Sequence, residues 1–272
     1  LCAEDELGIG SSHEGIMELP ADAPVGMAAK EYLRVEDDYL IEVGLTPNRV
    51  DAASHIGVAR DLAAYLSSRG ERTEVKWPDV SAFAVDNHDL PVAIRVENHE
   101  ACPRYVGITV SGCKIGPSPE WMQNCLRAAG INPKNNLVDI TNFVLFELGQ
   151  PLHAFDAAKI EGREVVVRTC AEGTPFVTLD GVERKLTDKD LMICSAERPM
   201  CIAGVFGGLD SGISETTTDV FIESAYFNPV WVRKTAKRFG LNTDSSFRFE
   251  RGVDPNMQVY AAKRAALLMK EL

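Results

Sequence analysis

Residues 219–240 read DVFIESAYFNPVWVRKTAKRFG, and within this stretch a strand pattern changes to a helix pattern. In the first part side chains alternate between two faces, so that Glu223 lies on the same face as Phe221 and Ala225. The second part opens with an Asn-Pro pair, which is typical of a helix start, and Gly240 marks its end. The stretch therefore predicts one half-buried strand followed directly by a helix.

The pattern of the rest of the chain predicts blocks of strands with helices before and after them. Strands are predicted over 39–45, 92–96, 105–110, 164–168, 191–194 and 200–206, with a hairpin around 180–181. Further helices are predicted after an N-cap at Ser54, after a second N-cap at Ser118, over 138–148, and from 254 to the C-terminus. Because strands and helices do not alternate strictly, we expect an α+β fold with a barrel-like mixed β core, flanking helices and a small helical domain in front.

Three segments are predicted along the chain. Residues 1–27 have no sustained periodicity and are interpreted as the tail of a preceding domain, and both chain ends look cut from a longer protein. Residues 28–80 form the predicted small helical domain, and residues 81–272 form the main domain. The boundary lies in residues 70–90, which mix charges, proline and small polar residues as linkers do.

Composition narrows the class of protein. The 272 residues are 45% hydrophobic, enough to bury a core, and they contain no apolar run of about 18 residues, so a soluble, cytoplasmic protein without membrane contact is expected. The seven cysteines show no C-x-x-C spacing, which favours free buried thiols and predicts no metal site. The net charge is −12, but residues 231–272 hold 9 basic and 4 acidic groups, so positive charge is concentrated near the C-terminus.

Two side chains stand out as candidates for chemistry. His153 lies in a segment predicted to be an apolar loop, where a structural histidine is the more common reading and a ligand-binding histidine is the alternative. Glu223, on a half-buried strand, requires a partner, which is either an internal arginine or a hydroxyl or ammonium group of a ligand.

Three other motifs have competing interpretations. The glycines of residues 203–208 indicate a tight turn between strands, because no Lys-Ser or Lys-Thr pair follows as in a phosphate-binding loop. The string at 248–250, RFE, is too short to indicate an adenylate-forming site. A basic cluster on the helix after Asn228 is either a solvated face or a contact for a phosphate backbone, and it consists of Arg233, Lys234, Lys237 and Arg238.

Four longer stretches resemble one known family. They are VDITNFVLFELGQPLHAFD at 138–156, AGVFGGLDSGISETTTDVFIESAYFNP at 203–229, RFGLNTDSSFRFERGVDP at 238–255, and TPNRVDAASHIGVARDLAA at 46–64. Together they are similar to beta subunits of bacterial phenylalanyl-tRNA synthetase. The first three resemble the family's central editing domain, the fourth resembles the small helical domain before it, and residues 1–27 resemble the end of a tRNA-binding OB-fold.

The resemblance implies that this chain hydrolyses mischarged tyrosyl-tRNA. It implies catalytic or positioning roles for His153, Asn142 and Thr243. It implies a substrate pocket that contains Glu223, Gly207, Thr141, Ser245 and Gly204. Two positions depart from the family: Ser245 is often alanine there, and Asn132 replaces a frequent arginine.

The resemblance also implies partners. These are tRNA(Phe), tyrosine as the editing ligand, and a catalytic alpha subunit in a heterotetramer of two alpha and two beta chains. ATP and Mg²⁺ are implied for the complete enzyme, and no cofactor is implied for this chain. A scaffold that only binds tRNA and the alpha subunit is the main alternative function, and an unrelated small-molecule binding domain is the other.

Overall fold

The computed structural model describes residues 2–7, 10, 12–33 and 39–272. The chain forms two compact units, Leu1–Val43 and Gly44–Leu272. In the described part of the first unit the regular element is a single helical turn, α1, at Ala29–Tyr32. The predicted boundaries at 27 and 80 stay predictions.

The second unit contains the remaining regular elements. Its helices are α2 (His55–Ser68), α3 (Glu120–Ala128), α4 (Asn136–Leu148), α5 (Pro229–Phe239), α6 (Asp244–Phe249) and α7 (Gln258–Glu271), with short 3₁₀ turns at Val50–Ala52, Ala157–Lys159 and Glu161–Arg163. Its strands are β1 (Ala93–Val96), β2 (Arg104–Ser111), β3 (Leu152–Asp156), β4 (Glu164–Thr169), β5 (Pro175–Val177), β6 (Glu183–Lys185), β7 (Leu191–Cys194), β8 (Pro199–Ile202), β9 (Phe206–Gly207) and β10 (Asp219–Tyr226). No helix of the described residues has the length and apolar character needed to cross a membrane.

The strands form three sheets. One sheet has the order β1-β4-β7-β8-β9, with a parallel β1–β4 pair and antiparallel neighbours elsewhere. A second, antiparallel sheet has β10 in the centre between β2 and β3, and β5 with β6 forms a hairpin. The predicted α+β class with a mixed β core and flanking helices is confirmed, although the sheets of the described residues do not close into one barrel.

The central strand β10 separates two hydrophobic cores. Phe221 and Ala225 belong to a core shared with β4, β7 and β8. Val220 and Ile222 belong to another core, filled by α3, α4 and α7. The alternation predicted for this strand is therefore confirmed, and Glu223 is on the side of the first core.

Opposite Glu223 on β2 lies Gly107. A Cβ atom at this glycine would approach the Phe221 ring to 2.4 Å, much closer than a normal carbon contact. The absence of a side chain here allows the ring of Phe221 to lie over β2.

Local signals placed most helix ends correctly. The Ser54 hydroxyl accepts a hydrogen bond from the Gly57 amide at the start of α2, as predicted, and Gly149 ends α4 with a φ of 78°. The prediction for Ser118 is wrong by one residue, because Pro119 occupies the N-cap of α3. The Ser118 hydroxyl instead donates to Asp139 over 2.5 Å.

Other predicted elements also need correction. The strand predicted over 39–45 is wrong: Leu40 and Ile41 are 79% and 77% exposed, and extended backbone is a strand only when another strand pairs with it. The loop predicted around His153 is wrong, because this segment is the strand β3. The strand predicted over 200–206 is divided by a turn into β8 and β9, and the helix predicted from 254 begins later, at α7.

Candidate functional site

Glu223 is the acidic group at the centre of the candidate site. It lies on the middle strand of the three-stranded sheet and is only 5% exposed. The Tyr105 hydroxyl donates a hydrogen bond to its Oε2 atom over 2.7 Å. Burial raises the pKa of the Glu223 carboxyl to about 7, although the bond from Tyr105 acts in the opposite direction.

The partner of Glu223 within the protein is therefore a phenol. Of the two partners that the sequence allows, the internal arginine is replaced by Tyr105, and the hydroxyl or ammonium group of a ligand stays a prediction. The pKa of the Tyr105 hydroxyl is raised well above its ordinary value, by burial and by the neighbouring carboxylate. Tyr105 is consequently protonated, and hence a hydrogen-bond donor, at every physiological pH.

His153 is the direct neighbour of Glu223 on β3, in antiparallel register. Its Nε2 atom is buried and has no hydrogen-bond partner among the described residues. Its ring packs edge-on against Phe155 with centroids 4.4 Å apart, and burial lowers its pKa to about 4. His153 is therefore neutral at pH 7, and its Nε2 atom is available for a hydrogen bond to a ligand or a water molecule.

A buried glutamine, Gln150, fixes the N-terminal end of β3 to β10. The Gln150 side-chain amide donates to the Ala225 carbonyl over 2.9 Å, and Gln258 of α7 donates to the Gln150 Oε1 atom over 3.0 Å. These bonds position the strand that carries His153.

Gly207 faces His153 from β9. A Cβ atom at this position would lie 3.1 Å from His153 Cε1 and 2.9 Å from Leu179 Cδ1, so a larger residue here would crowd the imidazole. Gly204, in the turn before β9, has a φ of 67°, and a Cβ atom there would come within 2.9 Å of two phenyl rings, those of Phe227 and Phe249. The predicted tight turn is confirmed, and Gly204 is required there by its positive φ and by the two phenyl rings.

Thr243 connects α6 to this turn. Its hydroxyl accepts a bond from the Ser246 amide as N-cap and donates to the Val205 carbonyl over 3.0 Å, two residues before Gly207. Ser245 follows it and is half-buried. The structure thus links four predicted site residues into one neighbourhood: Glu223, His153, Gly207 and Thr243.

Thr141 and Asn142 lie on α4. The Thr141 hydroxyl donates to the Val138 carbonyl of its own helix over 2.7 Å. Within the described residues no hydrogen bond joins Asn142 to Glu223 or His153. Phe146, one turn later on α4, packs against α6, where the Arg248 guanidinium lies over its ring at 4.9 Å. Asn132 is exposed before α4.

The basic cluster on α5 is divided by its contacts. Arg233, Lys234 and Lys237 are exposed, as a phosphate-binding face requires. Arg238 instead forms an ion pair with the buried Asp190 and lies over the Phe239 ring at 3.9 Å. Its guanidinium therefore contributes to folding.

A separate cleft of about 590 Å³ lies between residues 82–92, β2 and α7. Neither Glu223 nor His153 lines it.

In the described part of the chain, no three His, Cys, Asp or Glu side chains are grouped closely enough to hold a metal ion. All seven cysteines are free; Cys102, Cys194 and Cys201 are buried, whereas Cys2 and Cys125 are exposed, contrary to a uniformly buried set.

Residues 101–272, which include every residue of this site, match the family described as the B3/4 domain. The chain belongs to the B3/4 domain family. The matched residues run from β2 to α7 and therefore include the whole three-stranded sheet that carries Glu223, His153 and Tyr105.

Relatives match the chain over its full length, including the part in front of the B3/4 domain. Proteins called phenylalanine-tRNA ligase beta subunit from Bacteroides fragilis, Porphyromonas gingivalis and Carboxydothermus hydrogenoformans are 63%, 60% and 46% identical to it. The family recognised from the motifs is thereby confirmed. The chain spans about one third of the length of these relatives, between 33% and 34%.

A solved structure is also similar: an N-terminal fragment of the phenylalanyl-tRNA synthetase beta subunit from Pyrococcus horikoshii. It is 17% identical, with a TM-score of 0.38, and the similarity covers 71% of this chain and 59% of that one.

The two shifted pKa values predict how stability depends on pH. The folded protein retains a proton on Glu223 up to about pH 7, above its ordinary value of 4.5, so this group reduces stability as the pH rises through that window. His153 titrates near 4 when folded instead of 6.5, so it reduces stability as the pH falls from 6.5 to 4. Between pH 4.5 and 6.5 the two effects oppose each other.

We expect Glu223→Gln to remove the first effect and leave the second. Between pH 4.5 and 8, the stability of the variant should rise relative to the wild type by roughly 2–3 kcal/mol. Urea unfolding at a series of pH values measures this, with Glu215→Gln at an exposed position as the control. Parallel pH curves for wild type and Glu223→Gln would contradict the assignment.

Proposed function

We propose that this B3/4 domain hydrolyses tyrosyl-tRNA(Phe) as the editing part of a phenylalanine-tRNA ligase. Its full-length relatives carry that ligase's name as beta subunits. The proposed partners are tRNA(Phe) and a catalytic alpha subunit, with two copies of each chain in the complete enzyme. ATP and Mg²⁺ belong to the synthetic reaction of that complete enzyme, and tyrosine is the proposed editing ligand of this chain.

The observation that supports this proposal most strongly is the environment of Glu223. Among the described residues no cation bonds to this buried carboxylate, which accepts a hydrogen bond from a phenol, the Tyr105 hydroxyl. A tyrosyl group carries the same donor. Tyrosine differs from phenylalanine only by this hydroxyl, so a site that must separate the two needs an acceptor of this kind.

The energetics favour such a site as a second sieve. A hydrophobic pocket rejects an added hydroxyl by only about a hundredfold, which limits the accuracy of a synthetic site built for phenylalanine. A pocket with a buried carboxylate prefers tyrosine instead. Phenylalanine has no hydroxyl to donate to the carboxylate, and leaving that hydrogen bond unmade costs about 1–3 kcal/mol.

His153 is suited to hold the attacking water. Its buried Nε2 atom lacks a partner, and the neutral imidazole can accept a hydrogen bond there. In hydrolysis the water oxygen bonds to the carbonyl carbon, the ester C–O bond to the ribose breaks, and the released ribose oxygen takes up the proton that the water loses. A base with a pKa of about 4 removes protons poorly at pH 7, so the proposed role of His153 is to orient water.

The remaining predicted residues have supporting roles in this proposal. Gly207 leaves room beside the imidazole, and Thr243 fixes the turn that contains Gly204. Thr141 and Ser245 are proposed to line the pocket, and Asn142 is proposed to help position the ester and the water. Arg233, Lys234 and Lys237 on α5 are the proposed contacts for the tRNA backbone, and this exposed face also suits a scaffold that binds tRNA without hydrolysis.

Glu223→Ala is expected to reduce hydrolysis of tyrosyl-tRNA(Phe) by about 10- to 100-fold, because it removes a hydrogen bond to a charged acceptor. Synthesis of phenylalanyl-tRNA should be unchanged. Release of labelled tyrosine from preformed tyrosyl-tRNA by the complete enzyme measures the effect, and Glu215→Ala is the matched control at an exposed glutamate. If wild type and Glu223→Ala release tyrosine equally slowly, the scaffold function is favoured.

His153→Ala is expected to lower kcat for the same reaction on the order of a hundredfold, since a displaced water attacks poorly. Between pH 5.5 and 8 the shape of the pH profile should match that of the wild type, because His153 is neutral throughout this range. His99→Ala, at an exposed histidine, is the control. Loss of an inflection near pH 6.5 in the variant would identify His153 as a general base and contradict the water-orienting role.

A further inference from the structure

We propose that Tyr105 is the positioning residue that sets the selectivity of this site: its hydroxyl occupies one oxygen of Glu223 and thereby presents the other oxygen to the ligand's hydroxyl. This inference rests on the proposed editing function, and neither the sequence motifs nor the family resemblance assigned a role to Tyr105.

The strand register makes Tyr105 the side chain of β2 that can reach Glu223. Directly opposite Glu223 lies Gly107, which has no side chain, and Tyr105 is two residues away, opposite Ala225. Residues in such a diagonal relation lie on the same face, and a long aromatic side chain spans the separation. A larger residue at Gly107 would collide with Phe221, so the position opposite the carboxylate is kept empty by packing.

The two carboxylate oxygens of Glu223 differ in their surroundings. Oε2 accepts the bond from Tyr105. Across the described residues no donor bonds to Oε1, which therefore keeps a free lone pair. A carboxylate held at one oxygen by a fixed donor presents its other oxygen in a defined direction.

The charge state of Glu223 depends on the same bond. The titratable groups around it are Tyr105 on β2, Cys102 just before β2, His153 on β3 and Cys201 on β8. Cys102 and Cys201 have pKa values raised above the ordinary value by burial, so they are neutral thiols, and His153 is neutral as well. Tyr105 is thus the group that favours the ionised carboxylate against the effect of burial.

Removing the Tyr105 hydroxyl should therefore have two effects. Glu223 loses its fixed orientation, and it stays protonated to a higher pH. A protonated carboxyl group offers a donor as well as an acceptor, so it distinguishes a phenol from a phenyl ring less well than a carboxylate does.

The test uses Tyr105→Phe in the complete enzyme, with hydrolysis of tyrosyl-tRNA(Phe) measured from pH 6 to 9. At pH 7 we expect kcat/KM to fall by about 10- to 100-fold, the loss typical of a hydrogen bond to a charged group. Activity rises as Glu223 ionises, so this rising limb should move to higher pH in the variant, and part of the rate should return at pH 9. Tyr226→Phe, the same substitution in β10, should leave the profile unchanged.

A second variant changes the donor without removing it. Incorporation of 3-fluorotyrosine at position 105 keeps the ring and the hydroxyl but makes the phenol a stronger acid and a stronger hydrogen-bond donor. The rising limb should then move to lower pH, opposite to the effect of Tyr105→Phe. Aminoacylation with phenylalanine, measured on the same samples, reports whether each variant is folded and assembled.

The outcomes separate this inference from the function on which it rests. If Glu223→Ala abolishes hydrolysis while both Tyr105 variants keep the wild-type pH profile and selectivity, the role of Tyr105 is wrong and the editing function stands. If the wild type releases no tyrosine, the proposed function fails, and the role of Tyr105 fails with it. The inference is supported if the rising limb of the pH profile moves to higher pH in Tyr105→Phe and to lower pH with 3-fluorotyrosine at position 105.

Discussion

The site is organised around a buried carboxylate, Glu223, to which no cation of the described residues bonds. Glu223 lies on the central strand of a three-stranded sheet, where it is only 5% exposed and burial disfavours its charged form. A single phenol on the neighbouring strand offsets part of this cost. An arginine would have neutralised the charge, whereas the Tyr105 hydroxyl favours the ionised form through a hydrogen bond and adds no positive charge. The site therefore retains an acceptor that can respond to a second hydroxyl.

The surrounding fold keeps that acceptor in place. The strand β10 is fixed on both faces, by the core of the five-stranded sheet on one side and by α3, α4 and α7 on the other. Glu223 and His153 are adjacent because β10 and β3 pair in antiparallel register, and a buried Gln150 secures the beginning of β3. Two glycines complete the arrangement, Gly107 by admitting the Phe221 ring and Gly207 by leaving space beside the imidazole.

Sequence patterns predicted the parts of this arrangement that depend on local chemistry. Alternation placed Glu223 on the correct face of β10, and capping residues such as Ser54 and Gly149 marked helix ends. Strand pairing depends on contacts between residues far apart in the chain, and for this reason Tyr105 was not found: 118 positions separate it from Glu223. The loop predicted around His153 failed for the same reason, since a short apolar segment becomes a strand only when it meets a partner such as β10.

The central claim is that Glu223 receives two phenolic hydrogen bonds, one from the protein and one from the ligand. A crystal structure of the complete enzyme with bound tyrosine tests it most directly. The account predicts the ligand hydroxyl within hydrogen-bond distance of Glu223 Oε1, the Tyr105 hydroxyl still on Oε2, and the reactive carboxyl end of the ligand on the side of His153. Tyrosine bound with its hydroxyl away from Glu223, or bound in the cleft beside α7, would contradict it.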